Sequence, residues 1–257
     1  MAFLRVDFHS DVLGMAMGMD VILPQIAQTQ IGMASSGGGS CKTLYLLHGL
    51  SDDQTIWARR TSIERYVAGK NIAVVMPNAH KSWYTDAVCG ERYMEYISKE
   101  VPTICRSMFR QMSGRREDNF IAGLSMGGYG ALKIALSMPE AFSACAGLSG
   151  AYDIENRFTR CPSDQSMKLI FGTPENVRDS VNDVYHLART LAESGKKLPR
   201  VYLWCGTDDG LYGETESMGT LLGEYGYDLS YNSSAGDHTW FYWDREIQKA
   251  IDFMLSD

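Results

Sequence analysis

The chain has 257 residues, 45% of them hydrophobic and 21% charged, enough for one large domain with its own core. Its 24 Lys and Arg against 31 Asp and Glu give a net charge of −7, and no basic run is longer than pairs such as Arg115-Arg116 or Lys196-Lys197. That balance excludes nucleic acid and anionic membrane surfaces as expected partners, and apolar stretches such as Leu44 to Leu47 and Ile72 to Met76 are far shorter than the roughly 20 residues of a membrane span.

The N-terminus carries Arg5 and Asp7 where a signal peptide needs an unbroken apolar region, so the chain is expected to be cytoplasmic. Leu4 to His9 and Met19 to Leu23 alternate like an antiparallel pair joined by a turn at Gly14. Six further strands are predicted at Thr43 to Leu47, Ile72 to Met76, Asn119 to Leu124, Ala144 to Leu148, Val201 to Cys205 and Asp228 to Asn232. Helices are predicted at Ile56 to Ala68, Glu91 to Arg110, Gly127 to Ser137, Val181 to Glu193, Glu214 to Tyr225 and Trp243 to Leu255. A helix after each strand is the crossover pattern of a parallel sheet, so the fold class is α/β. Ala34 to Ser40 is too rich in Gly and Ser to order itself and reads as a loop. Residues 152–197 are too long for one crossover and predict a small cap insert within a single domain spanning 1–257. Six cysteines without a CxxC pair read as free thiols, with neither disulfides nor a zinc site.

The chemistry starts at Gly123-Leu124-Ser125-Met126-Gly127, set between an apolar strand and a helix. That is the nucleophile elbow of the α/β-hydrolase fold, whose tight turn demands small residues two before and two after the serine. A serine hydroxyl needs a base and an acid to activate it, in the chain order Ser, acid, His. Two histidines follow Ser125. His186 lies in the cap segment, whereas His238 follows the last strand and precedes the last helix, where the base belongs. The acid comes from Asp208 or Asp209 after the seventh strand, with Asp153 a weaker third candidate. Asp237 reads as solvent-facing or capping the last helix. The oxyanion needs two backbone donors. Met126 supplies one, and the turn Leu47-His48-Gly49-Leu50 the other, through Leu50 ahead of Gly49. His48 reads as a packed structural residue, and His9 and His80 as surface or core. Trp83 and Trp240, with Gly49, are candidate substrate contacts because aromatic residues on strand-end loops line pockets. Nothing in the spacing calls for a cofactor or a metal.

With these residues in place the chain resembles the esterase D group of α/β-hydrolases, and within it the bacterial tributyrin esterases. Tyr45-Leu46-Leu47-His48-Gly49-Leu50-Ser51-Asp52-Asp53, Ser82-Trp83-Tyr84-Thr85-Asp86, Gly123 to Gly128, Cys205 to Asp209 and Asp237-His238 carry the resemblance. It implies Asp209 as the acid and Leu50 and Met126 as the oxyanion donors. It also implies a mostly parallel eight-stranded sheet with helices on both faces. The expected activity is a serine carboxylesterase cleaving acetyl to butyryl esters of small molecules through an acyl-serine. Feruloyl or acetylxylan esterase and S-formylglutathione hydrolase are the alternatives, with an acyltransferase behind them. Gly210 departs from relatives that carry a bulky aromatic beside the acid. Exposed edge strands on an acidic domain leave room for a homo-oligomer.

Overall fold

The computed structural model describes residues 1–29, 31–32 and 34–256. β1 (Ala2–Ser10) and β2 (Met15–Leu23) form an antiparallel hairpin whose turn ends at Gly14, with φ +65°. Both strands run further into the turn than the apolar alternation suggested, because Ser10 pairs directly with Met15. β3 (Lys42–Leu47), β4 (Ile72–Pro77), β5 (Asn119–Leu124), β6 (Ala144–Leu148), β7 (Arg200–Gly206) and β8 (Leu229–Ser234) complete an eight-stranded sheet in the order β1-β2-β4-β3-β5-β6-β7-β8. β2 meets β4 antiparallel, and every pairing from β4 to β8 is parallel. Each residue of β4, β5 and β6 is buried, as strands covered on both faces must be.

The helices divide between the two faces. Between β3 and β4 lie α1 (Ile56–Arg60) and α2 (Ile63–Val67); α3 (Tyr93–Glu95), a π turn at Tyr96–Glu100 and α4 (Val101–Met108) precede β5. α5 (Met126–Ser137) links β5 to β6. α6 (Ile154–Arg160), α7 (Gln165–Phe171), α8 (Pro174–Val177) and α9 (Val184–Glu193) fill the long connection to β7. α10 (Tyr212–Glu224) and α11 (Trp240–Leu255) flank β8. Leu44, Leu46, Val74 and Phe120 pack with Trp57, Val67, Ile247 and Ile251 from α1, α2 and α11. Their strand neighbours Tyr45, Leu47, Val75 and Ile121 face Val101, Leu132, Ala188 and Leu222 from α4, α5, α9 and α10. This is period-two alternation, buried on both sides.

Two expected helices differ in detail. Ile56 to Ala68 is broken at Thr61-Ser62, where the Thr61 hydroxyl donates to Trp57 O (2.6 Å) alongside the Thr61 N–H and takes up the Ile63 N–H (3.2 Å) in place of a helical carbonyl. The long helix before β5 widens into its π turn just ahead of Pro102, which has no N–H to offer and whose ring crowds the carbonyl four residues back. Residues 34–40 form neither helix nor strand, and Ser36 Oγ there accepts from Asn71 N–H (2.9 Å). All six cysteines are free, four of them buried.

α5 carries an unusual interior charge. The Lys133 ammonium is fully buried, donates to Thr85 Oγ1 (2.6 Å) and Asn182 Oδ1 (3.2 Å), and lies 5.1 Å from the centre of the Tyr129 ring. Tyr129 OH donates to Asn182 O (2.9 Å), so one network ties α5 to the 82–86 loop and to the segment before α9. Burial lowers the Lys133 pKa to about 7, partly opposed by Asp86. An unfolded lysine binds its proton up to about 10.4. The destabilisation is therefore complete below pH 7 and is relieved as pH rises from 7 toward 10, where the unfolded chain holds the extra proton. Lys133→Met is expected to raise the melting temperature at pH 6 and to narrow its advantage by pH 9.5. Equal gains at both pH values in thermal melts would contradict a buried charge.

Candidate active site

Ser125 sits at the end of β5 as the N-terminal flanking residue of α5, with φ +52° and ψ −118°. A serine pays for that backbone only where its surroundings impose it. Here they do: Ser125 N–H donates to Leu148 O (2.9 Å), and the glycines on either side have no room for a side chain. A Cβ on Gly123 would lie 2.4 Å from Gly127 O, and one on Gly127 would lie 2.6 Å from Leu47 O. The elbow is thus locked between β5, α5 and the end of β3.

Ser125 Oγ is 3.0 Å from His238 Nε2, and His238 Nδ1 is 2.8 Å from Asp209 Oδ2. The three residues follow β5, β7 and β8, parallel strands whose C-terminal ends lie on the same side of the sheet. The Asp209 side chain is only 1% exposed, whereas that of His238 is 38% exposed and can meet a ligand. Burial raises the Asp209 pKa, but the bonds from His238 and from Leu211 N–H (2.9 Å), with the charge of the imidazole and the Ser149 hydroxyl, outweigh it and hold the carboxyl below its ordinary value. An ionised Asp209 at this distance can hold the imidazole proton on Nδ1, with Nε2 facing the Ser125 hydroxyl.

The other candidate acids lie elsewhere. Asp153 caps α6 by accepting from Asn156 N–H (2.9 Å), Asp208 is exposed, and Asp237 accepts from its neighbour Thr239 (2.7 Å) without capping α11. His186 lies in the first turn of α9 beside Asp179 (3.4 Å), His80 bonds Tyr93 OH (2.6 Å), and His9 is exposed on β1.

The turn after β3 faces the elbow: a Cβ on Gly49 would lie 3.9 Å from Ser125 Cβ. Neither Leu50 N–H nor Met126 N–H has an acceptor among the described residues, so both are free donors. The turn is held by three side chains. Trp57 Nε1 donates to Leu47 O (3.0 Å), Tyr84 OH to His48 O (2.8 Å), and the His48 ring bonds Gly49 O (2.7 Å). Gly130 in α5 makes way for the Tyr84 ring, which would meet a Cβ there at 2.4 Å.

The expected aromatic contacts separate. Trp240 is half-buried, edge-on to Trp57 (5.0 Å) and Trp243 (5.4 Å). Trp83 is 2% exposed and packed among Tyr129, Phe171 and the Arg157 guanidinium, beneath the surface rather than open to it. Sequence reasoning missed Ser149 and the bond that ties it to Trp243. Trp243 stands edge-on to His238 with ring centres 4.8 Å apart, and its Nε1–H donates to Ser149 Oγ (3.1 Å). The only signals were a Ser-Gly at the end of β6 and a tryptophan three residues beyond Trp240. Next to Asp209, Gly210 has nothing within 4 Å of where a Cβ would stand.

The segment 152–197 is anchored to the body. Asp153 N–H and Arg160 both bind the Glu214 carboxylate of α10, each at 2.9 Å. Among the described residues no helix is long and apolar enough to cross a membrane.

A mostly parallel sheet with a serine on the elbow after β5 and an Asp and a His after β7 and β8 defines a serine hydrolase of the α/β-hydrolase fold. The chain belongs to the esterase family: the family model described as "Putative esterase" matches residues 10–254. It is 30% identical to the acetyl esterase of Caldicellulosiruptor saccharolyticus over 263 aligned positions, covering 99% of this chain and 98% of the relative. Among solved structures it is similar to FphF, a fluorophosphonate-binding serine hydrolase of Staphylococcus aureus, at 35% identity and a TM-score of 0.89 over 100% of this chain and 99% of that one. S-formylglutathione hydrolase (FrmB) of the same organism matches at 35% identity and 0.87, over 99% of each chain. The protein is a carboxylic ester hydrolase, and its substrate is a small-molecule ester.

Proposed function

We propose that Ser125, His238 and Asp209 are nucleophile, base and acid, and that the Leu50 and Met126 N–H groups hold the oxyanion. The hydrogen-bonded line from Ser125 Oγ through His238 to Asp209, at 3.0 and 2.8 Å, is the observation that carries this reading. His238 Nε2 takes the hydroxyl proton as Ser125 Oγ bonds to the ester carbon, and the carbonyl electrons move to the oxygen facing the two N–H groups. Collapse expels the alcohol, which leaves with the proton from His238, and water repeats the sequence on the acyl-serine.

The substrates in this proposal are short acyl esters, acetyl to butyryl, as the likeness to an acetyl esterase supports. The segment 152–197 acts as a cap within the single domain, Trp240 and Gly49 border the bound ester, and Trp83 supports the site from below. Hydrolysis of p-nitrophenyl esters from acetate to octanoate is expected to peak at acetate or butyrate and to fall at least tenfold by octanoate, an approximate bound set by about 0.8 kcal/mol per methylene that no longer fits. A flat profile or a maximum at octanoate would refute the short-chain assignment. A second reading, thioester hydrolysis of S-formylglutathione, is favoured by the 35% identity to FrmB. A kcat/KM on that thioester well above that on p-nitrophenyl acetate would replace the first.

A further inference from the structure

His48 does more than fill space beneath the site. Its ring is 1% exposed and makes two hydrogen bonds of opposite sense. Ala79 N–H donates to Nε2 (2.9 Å), and a backbone N–H can only donate, so Nε2 carries a lone pair. The ring proton is therefore on Nδ1, and it is given to Gly49 O (2.7 Å). Burial lowers the His48 pKa despite the bond to Gly49 and the nearby Asp52 and Asp53, which keeps the ring neutral and this tautomer in place.

The acceptor is what matters. Gly49 C=O and Leu50 N–H are the two ends of one planar peptide group. We propose that His48 is a positioning residue for the oxyanion site: by gripping Gly49 O it aims the Leu50 N–H at the carbonyl oxygen above Ser125 and polarises that N–H as a donor. The inference rests on the reading of Leu50 as an oxyanion donor. Asp52 N–H also donates to Gly49 O (3.2 Å), and Tyr84 holds the preceding carbonyl, so the peptide is fixed before any substrate arrives. Donation into a carbonyl strengthens the same amide's N–H by roughly 10–30%. A donor already aimed spends nothing on reorientation when charge develops on the oxygen.

A histidine that merely tied the β3 turn to the β4 loop would use both nitrogens alike, and isosteric variants separate the two roles. His48→Asn keeps a donor near the Nδ1 position and loses the Nε2 acceptor. His48→Gln keeps an acceptor near the Nε2 position and loses the donor to Gly49 O. His48→Gln is expected to lower kcat and kcat/KM together by about 10- to 100-fold, with KM within about twofold, whereas His48→Asn stays within about threefold of wild type. The same ranking is expected for a short alkyl trifluoromethyl ketone, whose carbonyl carbon bonds Ser125 Oγ, passes the hydroxyl proton to His238 and leaves its oxygen negative. Its Ki should weaken in His48→Gln in parallel with kcat/KM and be preserved in His48→Asn. Equal losses in both variants, or none in His48→Gln, overturn the proposal. If the wild-type enzyme binds the trifluoromethyl ketone no more tightly than the plain methyl ketone, the oxyanion reading itself has failed and this inference falls with it. Should His48→Gln not fold, nitrogen NMR of the wild-type imidazole decides: a proton on Nδ1 is required, and one on Nε2 refutes the proposal.

Discussion

Ser125→Ala and His238→Ala each lower kcat on p-nitrophenyl acetate by about a millionfold, and the double variant is no worse than either single one; groups that act as one unit fail together. The 3.0 Å bond between Ser125 Oγ and His238 Nε2 is the reason to expect non-additivity. Without the base the hydroxyl is un-ionised and a poor nucleophile, and without the hydroxyl the base has nothing to deprotonate. What survives is the contribution of binding and of the backbone donors, about 10³- to 10⁴-fold over water. Both side chains lie at the surface end of the sheet, so the variants should keep the wild-type melting temperature within a few degrees. A single variant retaining a tenth of wild-type activity, with the fold intact by circular dichroism, would remove that residue from the mechanism.

Asp209→Asn is expected to lower kcat about 10⁴-fold while leaving KM nearly unchanged. The amide can still be held by Leu211 N–H, but toward His238 it presents either an NH₂ or a weaker acceptor. If it turns its NH₂ to Nδ1, the ring proton moves to Nε2 and the face toward Ser125 can no longer accept. Acid sensitivity gives a second measure. Hydrogen bonds and the imidazole keep the Asp209 pKa below the ordinary carboxylate value, against the opposing pull of burial. Its contribution to stability is therefore present above about pH 4, the unfolded value, and is lost as pH falls through the lower folded value. The stability gap between wild type and Asp209→Asn in urea melts should be largest near pH 6 and shrink below pH 4. A gap that widened in acid would mean that Asp209 is not ionised in the folded protein. Asp208→Asn, at an exposed position, serves as the control and should leave both activity and stability in place.

Much of this arrangement was legible in the chain. β3 to β7 stand out as short apolar runs because both their faces are covered, β1 and β2 through their alternation, and Gly123, Ser125 and Gly127 announce the elbow because its close approaches leave no room for larger flanking residues. His238 follows from chain order. The choice between Asp208 and Asp209 does not follow from spacing: adjacent residues point in different directions, and only the fold of the β7 loop shows which carboxylate turns inward. The same limit hid the burial of Trp83, since a tryptophan on a strand-end loop reads identically whether it faces solvent or Phe171 and Arg157. The bond from Trp243 to Ser149 spans 94 residues and has no local signature. The π turn before Pro102 was legible in principle, because proline cannot continue an ordinary helical ladder.

The empty space beside Gly210 has a further consequence. Gly123, Gly127 and Gly130 are fixed by neighbours that leave them no alternative, so variation there breaks the fold and the chemistry together. Gly210 adjoins Asp209 and meets no such obstacle. It is a position where a descendant of this enzyme can acquire a large side chain in one step, changing the surface beside Asp209 without displacing any neighbour. Sequence can therefore drift at Gly210 while the packed glycines of the elbow stay fixed.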